Sequence, residues 1–264
     1  MRTIVISSRG YTKACLAALL LGGGLCLPSV STAASSGGAG LGPPSAPAPG
    51  SADVQPGNAT VMVSGDGITV TTKASAQLSQ ALRFTGRVPA IAAGHAVEIE
   101  RSTQTGGSWT PTVGATIGAG GTFTAVWHAN EAGRFAIRAV IGGSTRAAHA
   151  RGRKGTARAA SAGSASPTFA VTIYRPAIAT FYGPGFYGRR TACGKVLTPH
   201  ALGVANRTLR CGTQVAIYYQ GRMLVVPVID RGPYANGADW DLTESTAAAL
   251  GIHGTVTIGA VSLP

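Results

Sequence analysis

From residue 58 onward, apolar residues come in runs of four to seven, broken by Gly-rich turns, and no heptad or helical repeat is sustained. A chain patterned this way builds short strands rather than long helices. Composition agrees: only 12% of residues are charged and 38 are Gly, which suits strands and turns better than solvated helices. Seven runs between 58 and 175 read as strands: 60–63, 68–72, 82–85, 97–101, 123–127, 135–141 and 169–174. Two alternate with period two. Val97 and Ile99 interleave with Glu98 and Glu100, and Phe169, Val171 and Ile173 interleave with Ala170, Thr172 and Tyr174. So many short strands predict a β-sandwich of immunoglobulin-like type over 58–175. It has no cysteine, and its acids, Asp66, Glu98, Glu100 and Glu131, are scattered with no catalytic constellation.

The N-terminus reads as an export signal over 1–34. Arg2, Arg9 and Lys13 form a basic region, an apolar stretch follows, and Ser31, Ala33 and Ala34 offer small-residue cleavage positions. The apolar stretch is short and Gly-rich for a span of ~20 residues, so no stable membrane span is expected after cleavage. Residues 35–57, rich in Gly, Pro, Ala and Ser, read as a flexible linker. The expected location is secreted or cell-wall associated.

Charge is lopsided: 22 Lys and Arg stand against 9 Asp and Glu. Without Arg2, Arg9 and Lys13 the formal charge is still +10, which favours polyanionic partners. Arg146, Arg151, Arg153, Lys154 and Arg158 cluster in an Ala-, Gly- and Ser-rich insert at about 144–166 that reads as disordered. Adhesion of 146–158 to anionic wall polymers and a merely solvated loop are both open readings. No aromatic is interleaved for base stacking, so no nucleic-acid partner is expected.

Cys15 and Cys26 leave with the signal, and Cys193 and Cys211 remain as an even pair in an oxidising compartment. A disulfide is predicted, with about 3 kcal/mol of stabilisation from closing a loop of this size. Two thiols without clustered histidines do not complete a zinc shell, and no cofactor or metal is expected.

Residues 176–264 differ in character. Strand-like runs occur at 178–182, 215–219, 223–229 and 255–261, with one short helix at 243–250 capped by Thr243 and ended by Gly251. One helix among about six strands predicts a small closed barrel. Asp230 follows the apolar run 223–229 and so emerges at the end of a buried strand, where RGPY turns the chain away. A carboxyl at a barrel mouth can act as general acid or base. The alternative is a structural Asp that pairs with Arg231 or accepts N–H bonds in the turn. Asp241 reads as a helix-start residue and Asp239 as loop surface. Tyr182, Tyr187 and Trp240 offer either a sugar-stacking platform or core packing.

Three ordered strings, ATFYGPGFYGRRTACG, ALGVANRTLRCGTQV and VVPVIDRGPYANGADWDLT, together resemble the double-psi β-barrel of rare lipoprotein A, related in fold to expansins and barwin-like proteins. The resemblance spans about 177–260 and implies a six-stranded barrel. It also implies a lytic transglycosylase acting on peptidoglycan glycan strands, or a non-catalytic, expansin-like wall-binding relative. The catalytic Asp of that family falls on Asp230. The candidate substrate-binding residues of this chain are Tyr182, Tyr187, Thr191, Asn206, Arg231, Tyr234 and Trp240. Two positions depart from the family pattern: Asn206 stands where a histidine is common, and Lys195 where an acid is common. Asn can hydrogen-bond a sugar or orient Asp230, but it cannot shuttle a proton.

Overall fold

A computed structural model describes residues 3–6, 52–103, 107–142, 164–234 and 237–264. The predicted signal and linker lie outside these residues except for 3–6 and 52–57, and so does the basic segment 146–158. The structure is all-β with a single α-helix among the described residues. That helix, seven residues long, is too short to cross a membrane.

The first sheet has the order β1 (Thr3–Ile6), β3 (Thr60–Gly65), β4 (Ile68–Lys73), β6 (Ala81–Arg87) and β9 (Thr122–His128). β1 lies parallel along the outer edge of β3. Facing this sheet is the run β8 (Thr110–Thr116), β7 (Ala96–Thr103), β10 (Gly133–Ile141) and β11 (Phe169–Tyr182), with β5 (Ser75–Gln77) parallel to β11. Val63, Ile68, Val70, Leu82 and Phe84 from one side and Val97, Ile99, Ile137, Val171 and Ile173 from the other form one core. The period-two runs therefore bury their apolar faces as the alternation predicts. β8 escaped the sequence reading because Pro111 and Gly114 interrupt it. As an edge strand paired only with β7, it tolerates both.

β11 is 14 residues long and runs across the predicted boundary at 175/176. Its odd-numbered face feeds two cores in turn. Phe169, Val171 and Ile173 enter the sandwich, and Ala177 and Ala179 enter the second unit. Between them Tyr174 stacks on Tyr218, with ring centroids 5.4 Å apart.

The second unit is a closed six-stranded barrel. Around it run β11, β16 (Val256–Ser262), β13 (Gln214–Tyr219), β14 (Arg222–Asp230), β12 (Val204–Ala205) and β15 (Trp240–Thr243), and β15 pairs back onto β11. Closure removes every sheet edge. Val204, Val215, Ile217, Leu224, Val226, Val228, Leu242 and Ile258 fill it, and α1 (Glu244–Leu250) adds Ala247 and Leu250. Thr243 caps α1 through its side chain and Gly251 ends it in the left-handed region, as the sequence predicts. β12 and β15 are too short for periodicity to reveal.

Two expected loops are more ordered at their ends than their composition suggested. Gln55–Pro56 (β2), at the end of the predicted linker, pairs with Arg222 and Met223. Ser164 and Ser166, at the end of the predicted insert, bond to β10 through Ile141 N–H (2.9 Å) and Ala139 O (2.8 Å).

Candidate active site

Asp230 is the last residue of β14, and the strand that delivers it is buried at Leu224, Val226, Val228 and Ile229. β12 runs parallel beside it, with Ala205 opposite Asp230. The chain can pass there because Gly203 has no side chain: a Cβ would lie 2.6 Å from Ile229. The carboxylate itself is only partly buried. Its Oδ1 accepts the N–H of Ala192 (2.8 Å) and of Arg231 (2.8 Å). Among the described residues, no backbone N–H donates to Oδ2.

Ala205 has a second neighbour. It pairs with Asp230 on one side and with Asp241 on the other. The two aspartates therefore flank one short strand, about 10 Å apart at Cα by ordinary strand spacing. Asp241 is half-buried, and its Oδ1 accepts the Thr180 hydroxyl at 2.8 Å. Burial raises the Asp241 pKa above the usual carboxylate value; the Thr180 hydroxyl opposes the shift, and the charge of Asp230 adds a smaller push upward. This corrects the sequence reading. Asp241 is not only a helix-start residue: β15 turns it toward Asp230, three positions before α1. No sequence signal carried this, because β15 becomes Asp230's neighbour only through β12. Asp239 is exposed, as expected, and accepts the Ile178 N–H at 2.9 Å.

Tyr182 completes the cluster. It lies on β11 two residues beyond Thr180, hence on the same face. Its hydroxyl is buried, has no well-aligned acceptor, and lies close enough to the Asp230 carboxyl to interact with it as a hydrogen-bond donor. Burial first, then the charges of Asp230 and Asp241, and last a hydrogen-bonding contact with Asp230 push its pKa well above the ordinary phenol value. Tyr182 is thus a neutral O–H donor beside two carboxyls. Its ring meets Phe186 edge-on at 6.2 Å. Phe186 is 51% exposed and Tyr234 79% exposed, which leaves two aromatic faces open to solvent in the loops that flank Asp230. The sequence reading named Tyr234 and missed Phe186, although Phe186 adjoins Tyr187 in the same Gly-rich string.

The remaining predicted positions divide. Tyr187 donates its hydroxyl to Glu244 Oε2 at the start of α1, and that bond is the leading cause of its raised pKa. Trp240 is only 8% exposed and belongs to the barrel core, so it offers no stacking platform. Thr191 is also 8% exposed. Its hydroxyl accepts the Lys195 N–H (3.2 Å) inside a tight turn, so it is a turn residue rather than a substrate contact. Asn206 does not reach the Asp230 carboxylate with its side chain. Its Oδ1 caps its own turn, accepting from Thr208 N–H (3.1 Å) and Leu209 N–H (2.9 Å), while its backbone N–H donates to Asp230 O (3.2 Å). Arg231 forms no ion pair with Asp230. Its guanidinium donates to Asn206 O (3.2 Å) and to Cys211 Sγ (3.4 Å). Arg207, unnoticed in the sequence, clamps the loop after Asp230 by donating to Pro233 O (2.7 Å) and Ala238 O (3.1 Å). Cys193 and Cys211 form the predicted disulfide, with Cα atoms 5.7 Å apart. Lys195 and His200 are exposed. No group of three metal-ligating side chains occurs among the described residues.

Residues 177–262 match the family described as lytic transglycolase, a stretch that contains the barrel from the second half of β11 to the end of β16. The C-terminal unit is an RlpA-like double-psi β-barrel. Curated relatives agree. The probable endolytic peptidoglycan transglycosylase RlpA of Synechocystis is 46% identical over 88 residues, 33% of this chain and 27% of the relative. The Nostoc protein of the same name is 43% identical over 82 residues, 30% of this chain and 22% of the relative. The endolytic peptidoglycan transglycosylase RlpA of Campylobacter jejuni is 37% identical over 75 residues, 28% of this chain and 27% of the relative. The chain therefore spans about a quarter of the length of these relatives, and the likeness belongs to the RlpA-like barrel.

Proposed function

We propose that the protein acts outside the cytoplasm and that its RlpA-like barrel cleaves peptidoglycan glycan strands as a lytic transglycosylase, with Asp230 as general acid and then general base. The observation that carries this reading is the Asp230 carboxyl itself. One oxygen is held by two backbone N–H groups, the Tyr182 hydroxyl lies beside the carboxyl, and a half-buried carboxyl lies one short strand away. In the reaction, the Asp230 carboxyl protonates the glycosidic oxygen as the C1–O bond breaks. The carboxylate left behind takes the proton from the sugar's own 6-hydroxyl, whose oxygen bonds to C1 and closes a 1,6-anhydro ring. One carboxyl serves both steps, unlike hydrolysis, which ordinarily uses two across the bond. Asp241 and Tyr182 support it electrostatically. Burial raises the pKa of Asp241, and the charge of Asp230 adds to the shift, which helps Asp241 keep its proton. Phe186 and Tyr234 offer apolar faces to sugar rings.

A second reading is expansin-like wall binding without cleavage. One observation favours it: Asn206 stands where the family often has a histidine, and its Oδ1 is engaged by its own turn. Under either reading the partners are glycan strands and, through 146–158, anionic wall polymers. Neither reading requires a cofactor.

The deciding experiment incubates the purified protein with intact peptidoglycan and with denuded glycan strands, and reads products by mass spectrometry. The cleavage reading expects anhydro-muramyl ends from wild type and none from Asp230→Asn. Wild type that pellets with the wall and releases no anhydro product would overturn cleavage and leave binding.

A further inference from the structure

The N–H that holds Asp230 comes from the least regular part of the barrel. Residues 183–203 join β11 to β12 without a named strand. Bonds inside this loop give it shape: Leu197 N–H to Arg189 O (2.9 Å), Gly188 N–H to Leu197 O (2.9 Å) and Thr191 N–H to Lys195 O (2.7 Å). None of these ties the loop to β14. The tie near Asp230 consists of the Ala192 N–H on Asp230 Oδ1 and, at the very next residue, the bond from Cys193 to Cys211.

The far end of that bond is anchored to the same strand. Gly212, next to Cys211, donates its N–H to Val228 O (2.8 Å), and Val228 N–H donates to Thr213 O (2.9 Å). Val228 lies two residues before Asp230. A closed ring results: Asp230 Oδ1, Ala192 N–H, Cys193, Cys211, Gly212 N–H, Val228 O, Ile229 and back to Asp230. The disulfide is the only covalent link in this ring between the loop and the turn opposite it. Arg231 packs on the same sulfur, at 3.4 Å from Cys211 Sγ, and joins it to Asn206 O. Ala192, Gly194 and Lys195 are all exposed. Water therefore competes for the Ala192 N–H, and a lone exposed hydrogen bond holds a loop weakly. A covalent tether one residue away raises the effective concentration of that N–H at the carboxylate.

We propose that the Cys193–Cys211 disulfide is a positioning element for Asp230: it keeps the Ala192 N–H on Oδ1, so that the barrel presents an oriented carboxyl only in its oxidised form. The catalytic consequence rests on the reading of Asp230 as the reacting group; the structural one does not. Reduction by a dithiol moves two electrons and two protons to Cys193 and Cys211 and closes the dithiol into its own disulfide. The barrel keeps its ladder and loses the fastening of its acid.

The test uses the full chain in three forms: oxidised, reduced with dithiothreitol, and the Cys193→Ser/Cys211→Ser double variant. Amide hydrogen exchange is read at Ala192 and, as an internal standard, at Leu224, Val226 and Ile258 in the barrel ladder. Cleavage is read as kcat and KM on denuded glycan strands. The expected result is Ala192 exchange faster by about tenfold or more with the ladder amides unchanged. With it, kcat falls by about 10- to 100-fold and KM stays within about twofold. Ala192 exchange that does not respond, or that accelerates in step with the ladder, overturns the proposal and makes the bridge a general staple. If the oxidised protein releases no anhydro product, the cleavage reading fails, and the exchange at Ala192 still decides the positioning role.

Discussion

The sandwich and the barrel hold their acids in different ways. In the sandwich, Glu100 Oε2 lies 2.7 Å from Arg138 Nη2, and Glu131 Oε2 lies 3.1 Å from Arg101 Nη1. The second contact is loose: Glu131 is exposed, Arg101 Nη1 has no well-aligned acceptor, and the guanidinium packs against both Trp127 and Phe135, 5.3 and 4.9 Å from their centroids. In the barrel, no acid forms an ion pair among the described residues. Asp230, Asp239 and Asp241 are held by neutral N–H and O–H donors, and Glu244 by the Tyr187 hydroxyl. A carboxylate neutralised by a cation has little left to offer a substrate. One oriented by neutral donors keeps its charge and its proton chemistry. The same strand, β11, builds both units, so the difference arises from side chains and not from architecture.

The strongest way to break this contrast is Asp230→Asn. Cleavage should fall by about 10²- to 10⁴-fold, the usual range for removing a general acid–base group, while the melting temperature stays near that of wild type. An equal loss of wall binding would show that Asp230 holds substrate rather than reacting with it. Next comes Ile137→Ala in the sandwich core, where the side chain is fully buried. Calorimetry should show a loss of about 2–5 kcal/mol in the sandwich, with kcat unchanged. A matching fall in kcat would mean that β11 transmits sandwich stability to the site.

Asp241→Asn sharpens the contrast through pH. Burial and Asp230 raise the pKa of Asp241 in the folded protein. A group whose folded pKa is raised adds stability that is fully present below its unfolded pKa and is lost as pH rises through the folded value. Wild type therefore loses ground to Asp241→Asn as pH rises through and above the ordinary carboxylate range, which thermal melts of the two proteins would detect. A constant difference across that range would mean that Asp241 is not coupled to its surroundings. The smallest expected effect is Glu100→Gln. The pair it breaks is partly exposed, so stability should fall by about 1 kcal/mol or less, with glycan cleavage untouched. A larger effect on activity would contradict the division of labour between the units.

Much of the fold was readable in one dimension. The runs at 97–101 and 169–174 alternate so cleanly that their burial follows from side-chain direction alone. Thr243 and Gly251 mark the ends of α1 through local capping chemistry. Strands such as β12 and β15 were not readable, since four residues or fewer carry no period. Trp240 shows the same limit at the level of a side chain: an aromatic beside two aspartates suggests a platform, but the pleat of β15 turns it into the core and turns Asp241 outward to the site.

The sequence by itself determined the all-β character, the pairing of the two cysteines of the C-terminal unit and the emergence of Asp230 at the end of a buried strand. Each follows from neighbours along the chain: alternation, parity and the end of an apolar run. Only the tertiary structure decided which groups meet Asp230. Ala192 is 38 residues away, and Asp241 reaches it through the register of β12. Those partners depend on barrel closure, which brings distant segments into contact by hydrogen-bond register and leaves no periodic trace in the sequence.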